Sequence, residues 1–415
     1  MNIVYNTAIR AYALAARLAA VRSPKVSRMI QGQRSSIGHV REVRDRVAPG
    51  GFDIWFHAAS LGEFEQARPL IEKYRREQPG LKILLTFFSP SGYEVRKNYD
   101  KVDCVAYLPF DKPNLVREFI DAASPRMVVF VKYEFWGNFL HALHERGIPT
   151  FLIDAIFRPG QRFFKCGGGM FRDMLRCYDH IYVQDQASKD LLASIDVTNV
   201  TVAGDTRFDR VTDVMSTRVD LPVVESWLKN AGFTLVVGSS WPRDEERYLS
   251  WLNARPAVKA IIAPHEFDAE RLKSLVAACK NKAVLWSQVK DSAIPQDAQV
   301  LIIDAFGLLS SLYRFGSAAI IGGGFGAGIH NINEAAVYGI PVIFGPNHAK
   351  FKEASDLIDC GGGFEYRQSA DVAALLDLFS EQAPVCQTAG RNAANYIKSH
   401  LGATTLIHNE LVKFI

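Results

Sequence analysis

The sequence predicts an α/β protein built from two Rossmann-like domains. Short β-rich runs alternate with helix-length segments from residue 54 onward. A polar interval at 205–230, without strand character, interrupts the alternation. The length of 415 residues suits two domains of ordinary size. Such alternation makes mostly parallel sheets covered on both faces, whose ligands bind beyond the carboxyl ends of the strands. The expected division is 1–30 as a membrane-associating helix and basic segment, 31–210 as the first Rossmann-like domain and 211–395 as the second. Residues 396–415 are expected as a helix that can cross back to the first domain.

The composition, 48% hydrophobic and 22% charged, supports a large core without disulfide staples. Six cysteines (Cys104, Cys166, Cys177, Cys279, Cys360, Cys386) are scattered and form no CxxC pair. Neither a zinc site nor a redox pair is indicated, and reduced cytosolic thiols are expected. The net charge of +4 is uneven, because residues 1–50 carry nine Lys/Arg against two acids. A basic amino end points to an anionic surface. Nucleic acid is not expected, since no aromatic-basic platform or recognition motif accompanies the charge.

Residues 3–21 (IVYNTAIRAYALAARLAAV) are helix-prone, with Arg10 and Arg17 on one face. They are not an uninterrupted apolar run of spanning length, and no charged segment precedes them as in a signal peptide. An interfacial helix fits, apolar face in the acyl boundary and arginines toward lipid phosphates. The alternative is an amphipathic helix packed on its own domain, and a tilted span is a third arrangement.

The first series of strands is expected at 54–59, 83–88, 104–109, 127–132, 150–154, 181–184 and 200–204. HAASLGEFEQA, at 57–67, reads as a strand end, a tight turn and a helix start. Ser60 and Glu63 form S-x-x-E, the pattern of a capping box. Gly62 in the first helical turn costs about 1 kcal/mol relative to alanine and lets a ligand approach the backbone. Glu63 at that edge is the candidate general base, whereas His57 reads as a core or rim histidine. Ser89, Ser91 and Gly92 precede a helix, as an anion site or a simple cap. Glu134, Trp136 and Asn138 end the fourth strand, where sugar contact is expected. Arg207, between Asp205 and Asp209, suits a phosphate or carboxylate, or a surface ion pair.

The second series is expected at 233–239, 258–264, 283–287, 300–304, 318–323 and 341–345. Gly238, Ser239 and Ser240 stand between strand and helix, an anion-cradling position. Pro264 and His265 end the next strand. The most informative stretch, 320–346, runs a strand into Gly322, Gly323, Gly324, Phe325, Gly326 and Gly328, then His330, Asn331, Asn333 and Glu334. The glycines admit a ligand to the backbone, and the helix start favours an anion. Glu334 is placed to accept from ribose hydroxyls. The glycine spacing and its late position depart from the dinucleotide fingerprint.

Together these segments resemble the Kdo (3-deoxy-D-manno-octulosonic acid) transferase family. HAASLGE at 57–63 matches its HAxSxGE segment, and GDTRFD at 204–209 its G-[ND]-x-[KR]-[FY]-D. HNINE at 330–334 matches H-N-x-x-E, and GIPVIFGP at 339–346 matches G-x-P-V-x-x-G-P. The resemblance implies a GT-B glycosyltransferase that moves Kdo from CMP-Kdo to a lipid A precursor in lipopolysaccharide biosynthesis, with inversion and without metal or cofactor. It would work at the cytoplasmic face of the bacterial inner membrane. It implies Glu63 as base, while Ser60, Gly62, Ser89, Ser91, Gly92, Glu134 and Arg207 are expected from their own placement to face acceptor or Kdo. Gly238, Ser239, Ser240, Pro264, His265, Gly323, Gly324, Phe325, Gly326, His330, Asn331, Asn333 and Glu334 are expected to hold the donor. This chain departs from the family at Ile332 and Ala335, where prolines are usual, at 154–162, and at Pro264-His265, a reduced Arg-His-Pro element. The competing readings are another GT-B enzyme, such as a nucleotide-sugar epimerase, and a non-catalytic nucleotide-binding module at a membrane surface.

Overall fold

A computed structural model describes residues 3–216 and 219–415. The chain divides into two compact units, Met1–Asp209 with Leu401–Ile415, and Arg210–His400. Each is built on a seven-stranded sheet in which every pairing is parallel.

In the first unit the strands are β1 (Ile54–Ala58), β2 (Ile83–Phe87), β3 (Cys104–Tyr107), β4 (Met127–Val131), β5 (Thr150–Ala155), β6 (His180–Val183) and β7 (Val200–Val202). Their order is β3-β2-β1-β4-β5-β6-β7. Alternate side chains feed two cores. Trp55, Leu84, Val128 and Phe130 pack on one face, Ile54, Phe56, Leu85 and Val129 on the other. Burial on both faces explains why these strands read as near-continuous apolar runs. The order reverses between β1 and β4, so the loops after these strands flank the crevice where open α/β sheets bind ligands.

The second unit holds β8 (Thr234–Ser240), β9 (Lys259–Pro264), β10 (Ala283–Leu285), β11 (Val300–Ile302), β12 (Ala318–Ile321), β13 (Val342–Phe344) and β14 (Gly363–Glu365). Their order is β10-β11-β9-β8-β12-β13-β14, and the reversal lies between β8 and β12. The edge strand β14 was not expected. It is three residues long and begins with glycine, so it carries no β-rich signature.

The helix Ile3–Ala20 buries Ala13 and Ala16 in a cluster with Met29, Ile30, Tyr107 and Phe110. Tyr5 donates to Asp111 Oδ2 at 2.5 Å and accepts from the Gly137 amide at 2.9 Å. Leu14 and Leu18 remain 59% and 67% exposed, beside exposed Arg10 and Arg17. One face is therefore docked on the unit and another is apolar and open. Among the described residues, no helix is long and apolar enough to cross a membrane. The helix Ala403–Leu411 packs on the helix Leu61–Glu77, with Ile407 and Leu411 in the core. Asp209 accepts from the amides of Gly402 and Thr404, both at 2.6 Å.

Candidate active site

Each unit gathers predicted residues at its own reversal point. In the first unit, the turn after β1 runs directly into the helix Leu61–Glu77. Glu63 is half-buried and reaches back to accept from the Ser60 amide at 3.1 Å. Ser60 is half-buried and Gly62 exposed, so both stand at the rim. Burial, then the neighbouring Glu134 charge, pushes the Glu63 carboxyl above the ordinary glutamate range. His57 and the amides of Ser60 and Ala59 pull it back. A carboxylate has lone pairs to spare after one capping bond, so the cap and a role as base are compatible.

Glu134 lies beyond β4 and is 5% exposed. Its Oε2 meets His57 Nε2 at 2.9 Å and accepts from the Trp136 indole. The segment before it is strained, since Lys132 has φ 69°, a left-handed backbone on a residue with a side chain. Trp136 stacks obliquely on Phe88, 4.8 Å between ring centroids. Ser89 accepts from the Ser91 amide at 3.3 Å and caps the short helix Pro90–Arg96. Gly92 needs a correction, because it is buried and a Cβ there would lie 2.2 Å from the Phe87 ring. Core packing, not a ligand, demands that glycine. Arg207 is held by Asp205 through Nε and Nη2, at 3.0 and 2.7 Å to Oδ2.

In the second unit a pocket of about 570 Å³ is lined by Trp241, Arg243, Asp244, His265 and the loop from Gly323 to His330. Trp241 stacks on His265 at 4.6 Å, and His265 on His330 at 4.5 Å. Trp241 Nε1 also donates to His330 Nε2 at 3.3 Å. Burial, and then His265, depress the His330 imidazole below its usual value. Gly323 has φ +90° and donates its amide to Asp244 Oδ2 at 3.0 Å. Asp244 also accepts from the Trp241 amide at 3.0 Å and so ties the two loops together. Phe325 receives the Arg247 guanidinium on its face, 3.7 Å from the ring centroid. Gly326 is exposed at the loop tip. Ser239 takes φ 52° at the end of β8, a second strained non-glycine position.

Asn331 donates to Glu334 Oε1 at 3.0 Å, and burial raises the Glu334 carboxyl. Five residues expected at the donor are packed into the fold. Gly238 is buried where a Cβ would lie 1.8 Å from the Tyr313 hydroxyl. Ser240 is buried and donates to Glu245 at 2.6 Å. Gly324 abuts the Gly345 backbone, where a Cβ would stand 2.5 Å from Cα. Asn333 is 4% exposed beneath the turn. Pro264 is buried and leaves His265 as the exposed end of β9. Trp241, Arg243 and Asp244 were missed in sequence reading. The signal was their place directly after the Gly-Ser-Ser turn, at the start of a helix.

Comparison with known proteins points to one family. Residues 15–210 match the family model described as 3-deoxy-D-manno-octulosonic-acid transferase (kdotransferase). The 3-deoxy-D-manno-octulosonic acid transferase of Bordetella pertussis is 28% identical over 387 residues, 86% of this chain and 86% of that protein. That of Aquifex aeolicus (strain VF5) is 26% identical over 342 residues, 79% of this chain and 86% of that protein. Over residues 15–210 the chain matches that model, and along most of its length it is similar to transferases of that name. In fold it resembles the UDP-GlcNAc 2-epimerase from Neisseria meningitidis, with a TM-score of 0.59 at 14% identity over 87% of this chain and all of that one. This last likeness speaks for the fold alone.

Proposed function

We propose that this protein is a Kdo transferase, which takes its sugar from CMP-Kdo and transfers it, with inversion and without a metal, to a lipid A precursor. Glu63 removes a proton from the acceptor hydroxyl as that oxygen attacks the anomeric carbon of Kdo. The bond from that carbon to the phosphate oxygen breaks, and CMP leaves with the electron pair. The observation that carries this reading is Glu63 itself, half-buried at the β1 turn with its proton affinity raised by burial and by Glu134. A base is most effective when its pKa approaches the working pH. For the donor, the flat stack of Trp241, His265 and His330 suits a cytosine face, and the loop amides suit its phosphate. The open apolar face of the helix Ile3–Ala20, with its arginines, supports attachment to the cytoplasmic face of the bacterial inner membrane.

The test is CMP release from CMP-Kdo in the presence of a lipid A precursor. Glu63→Ala is expected to lower turnover by about 10²–10⁴-fold, the usual worth of a general base. CMP should still raise the melting temperature of the variant, and UDP should not. Wild-type turnover in Glu63→Ala, or stabilisation by UDP in place of CMP, would overturn the assignment.

A further inference from the structure

The segment after β5 is basic, and its charge is unopposed. Residues 155–172 carry Arg158, Arg162, Lys165 and Arg172 and no acid. Its first part falls within 154–162, where the chain departs from the family pattern. Arg158, Arg162 and Lys165 are exposed. Among the described residues, none of these three side chains pairs with a carboxylate. Arg146 and Arg176, on either side in sequence, are paired with Asp121 at 2.8 Å and Asp173 at 3.1 Å.

The loop that bears these cations is wound tightly. The Gln161 amide donates to Arg158 O at 3.1 Å, Lys165 to Arg162 O at 3.3 Å and Gly168 to Lys165 O at 3.0 Å. A Cβ at Gly168 would stand 2.2 Å from Arg162 O, so glycine closes the last turn. Phe163 is buried, with its ring centroid 4.8 Å from Phe135, 5.7 Å from Phe157 and 6.0 Å from Phe171. The Phe157 amide donates to the buried Ser188 hydroxyl at 2.9 Å. Like charges held on successive turns of a fixed loop repel until an anion lies among them. Folding has already ordered the loop, so an anion bound there is spared that cost.

The same packing fixes where the charge stands. Three consecutive residues leave β4 toward three neighbours. Glu134 meets His57 on β1, Phe135 packs on the cationic loop, and Trp136 stacks on Phe88 after β2. The first helix lies on the Phe88 side, where Tyr12 stacks at 6.4 Å. β2 and β5 stand on opposite sides of the β1–β4 pair. The cationic loop is therefore on the flank of the Glu63 turn away from that helix. β1 and β5 are two strand spacings apart, about 10 Å, a reach suited to a phosphorylated sugar.

We propose that Arg158, Arg162 and Lys165 form an anion site that takes a phosphate of the acceptor and selects phosphorylated over unphosphorylated acceptors. The proposal rests on the reading of the acceptor as a lipid A precursor, a phosphorylated sugar lipid. Guanidinium forks and an ammonium give charge-assisted hydrogen bonds to phosphate oxygens. The phosphate held there does not react. It fixes which acceptor hydroxyl reaches Glu63.

The experiment measures CMP release from CMP-Kdo with two acceptors in neutral detergent micelles. One is a lipid A precursor, the other the same compound stripped of phosphate by a phosphatase. Wild type is expected to favour the phosphorylated acceptor in kcat/KM by about 10-fold or more, the worth of one charge-assisted hydrogen bond. Arg158→Gln with Arg162→Gln and Lys165→Gln should lose most of that preference, through the KM of the phosphorylated acceptor. Arg158→Lys with Arg162→Lys keeps the charge and should keep part of the preference. A structural defect would slow both acceptors alike and leave their ratio in place. A triple variant with the wild-type ratio overturns the proposal, as does a wild-type ratio of one while both acceptors turn over. If the triple variant does not fold, Arg162→Gln alone decides by the same ratio. The anionic membrane is the rival source of phosphate, and sedimentation with phosphatidylglycerol vesicles tests it. A triple variant that leaves the vesicles but keeps the wild-type ratio assigns the loop to the membrane and defeats the acceptor site. Absence of CMP release by wild type with either acceptor defeats the reading of the substrate, and this proposal with it.

Discussion

At the scale of single residues, buried carboxyls carry the most information. Asp154 ends β5 with φ 55° and is fully buried. It accepts from the Thr206 amide at 2.9 Å and meets the Thr206 hydroxyl at 2.8 Å. That hydroxyl also reaches Gln66 O at 2.6 Å, and it has one hydrogen to give. A protonated Asp154 resolves the count by donating to Thr206 Oγ1. Burial, then the charge of Asp205, accordingly pushes its carboxyl up to about 7. The folded protein thus holds this proton more tightly than the unfolded chain, whose aspartate titrates near 4. The stabilisation is complete below pH ~4 and is lost as pH rises through about 7. Asp154→Asn imitates the protonated form, so its stability should be flatter across that window than wild type's. Denaturant melts at pH 4, 6 and 8, read as a difference of about 1 kcal/mol or more between the two slopes, check this. Asp154 was invisible in sequence as anything but a strand end. The same limit applies to Gly238 and Gly92, where a glycine before a helix suggests an anion site. Whether a ring such as Tyr313 or Phe87 fills the space above it depends on distant sequence.

At the scale of elements, the strands were legible because doubly covered parallel strands must be apolar along their whole length. Thirteen expected strands correspond to β1–β13, and only the short β14 had no run to betray it. The Glu63 turn was legible for a related reason. A strand, a Ser, a Gly and a Glu in seven residues leave few local structures. The Trp241–His265–His330 stack was less so, since it joins three loops through packing that no spacing rule encodes. The first helix docks one side on its unit and leaves another side open. Ala13 and Ala16 dock inward, while Leu14 and Leu18 face outward. Leu14→Glu with Leu18→Glu is therefore expected to leave the melting temperature within about a degree of wild type. Binding to vesicles rich in anionic lipid should fall by about 100-fold or more, since burying each leucine is worth about 1.5–3 kcal/mol. Co-sedimentation with such vesicles measures it. Unchanged binding would remove the helix from the membrane.

At the scale of the whole molecule, the chain is not two beads in series. The second unit is one continuous stretch, Arg210–His400, whereas the first is completed by Leu401–Ile415. Ile407 and Leu411 fill a core otherwise made by residues synthesised far earlier. Truncation after His400 should expose that core and lower the melting temperature of the first unit by several degrees. The second should keep its own transition, resolvable by calorimetry with CMP as a selective stabiliser. A single unshifted transition would contradict this. The returning helix also sets an order of events at the ribosome. The later half can close as soon as it emerges, but the earlier half must wait, with an apolar seam open, until Ala403–Leu411 has been made. A nascent chain of this protein is thus most exposed to chaperones and proteases at its oldest end.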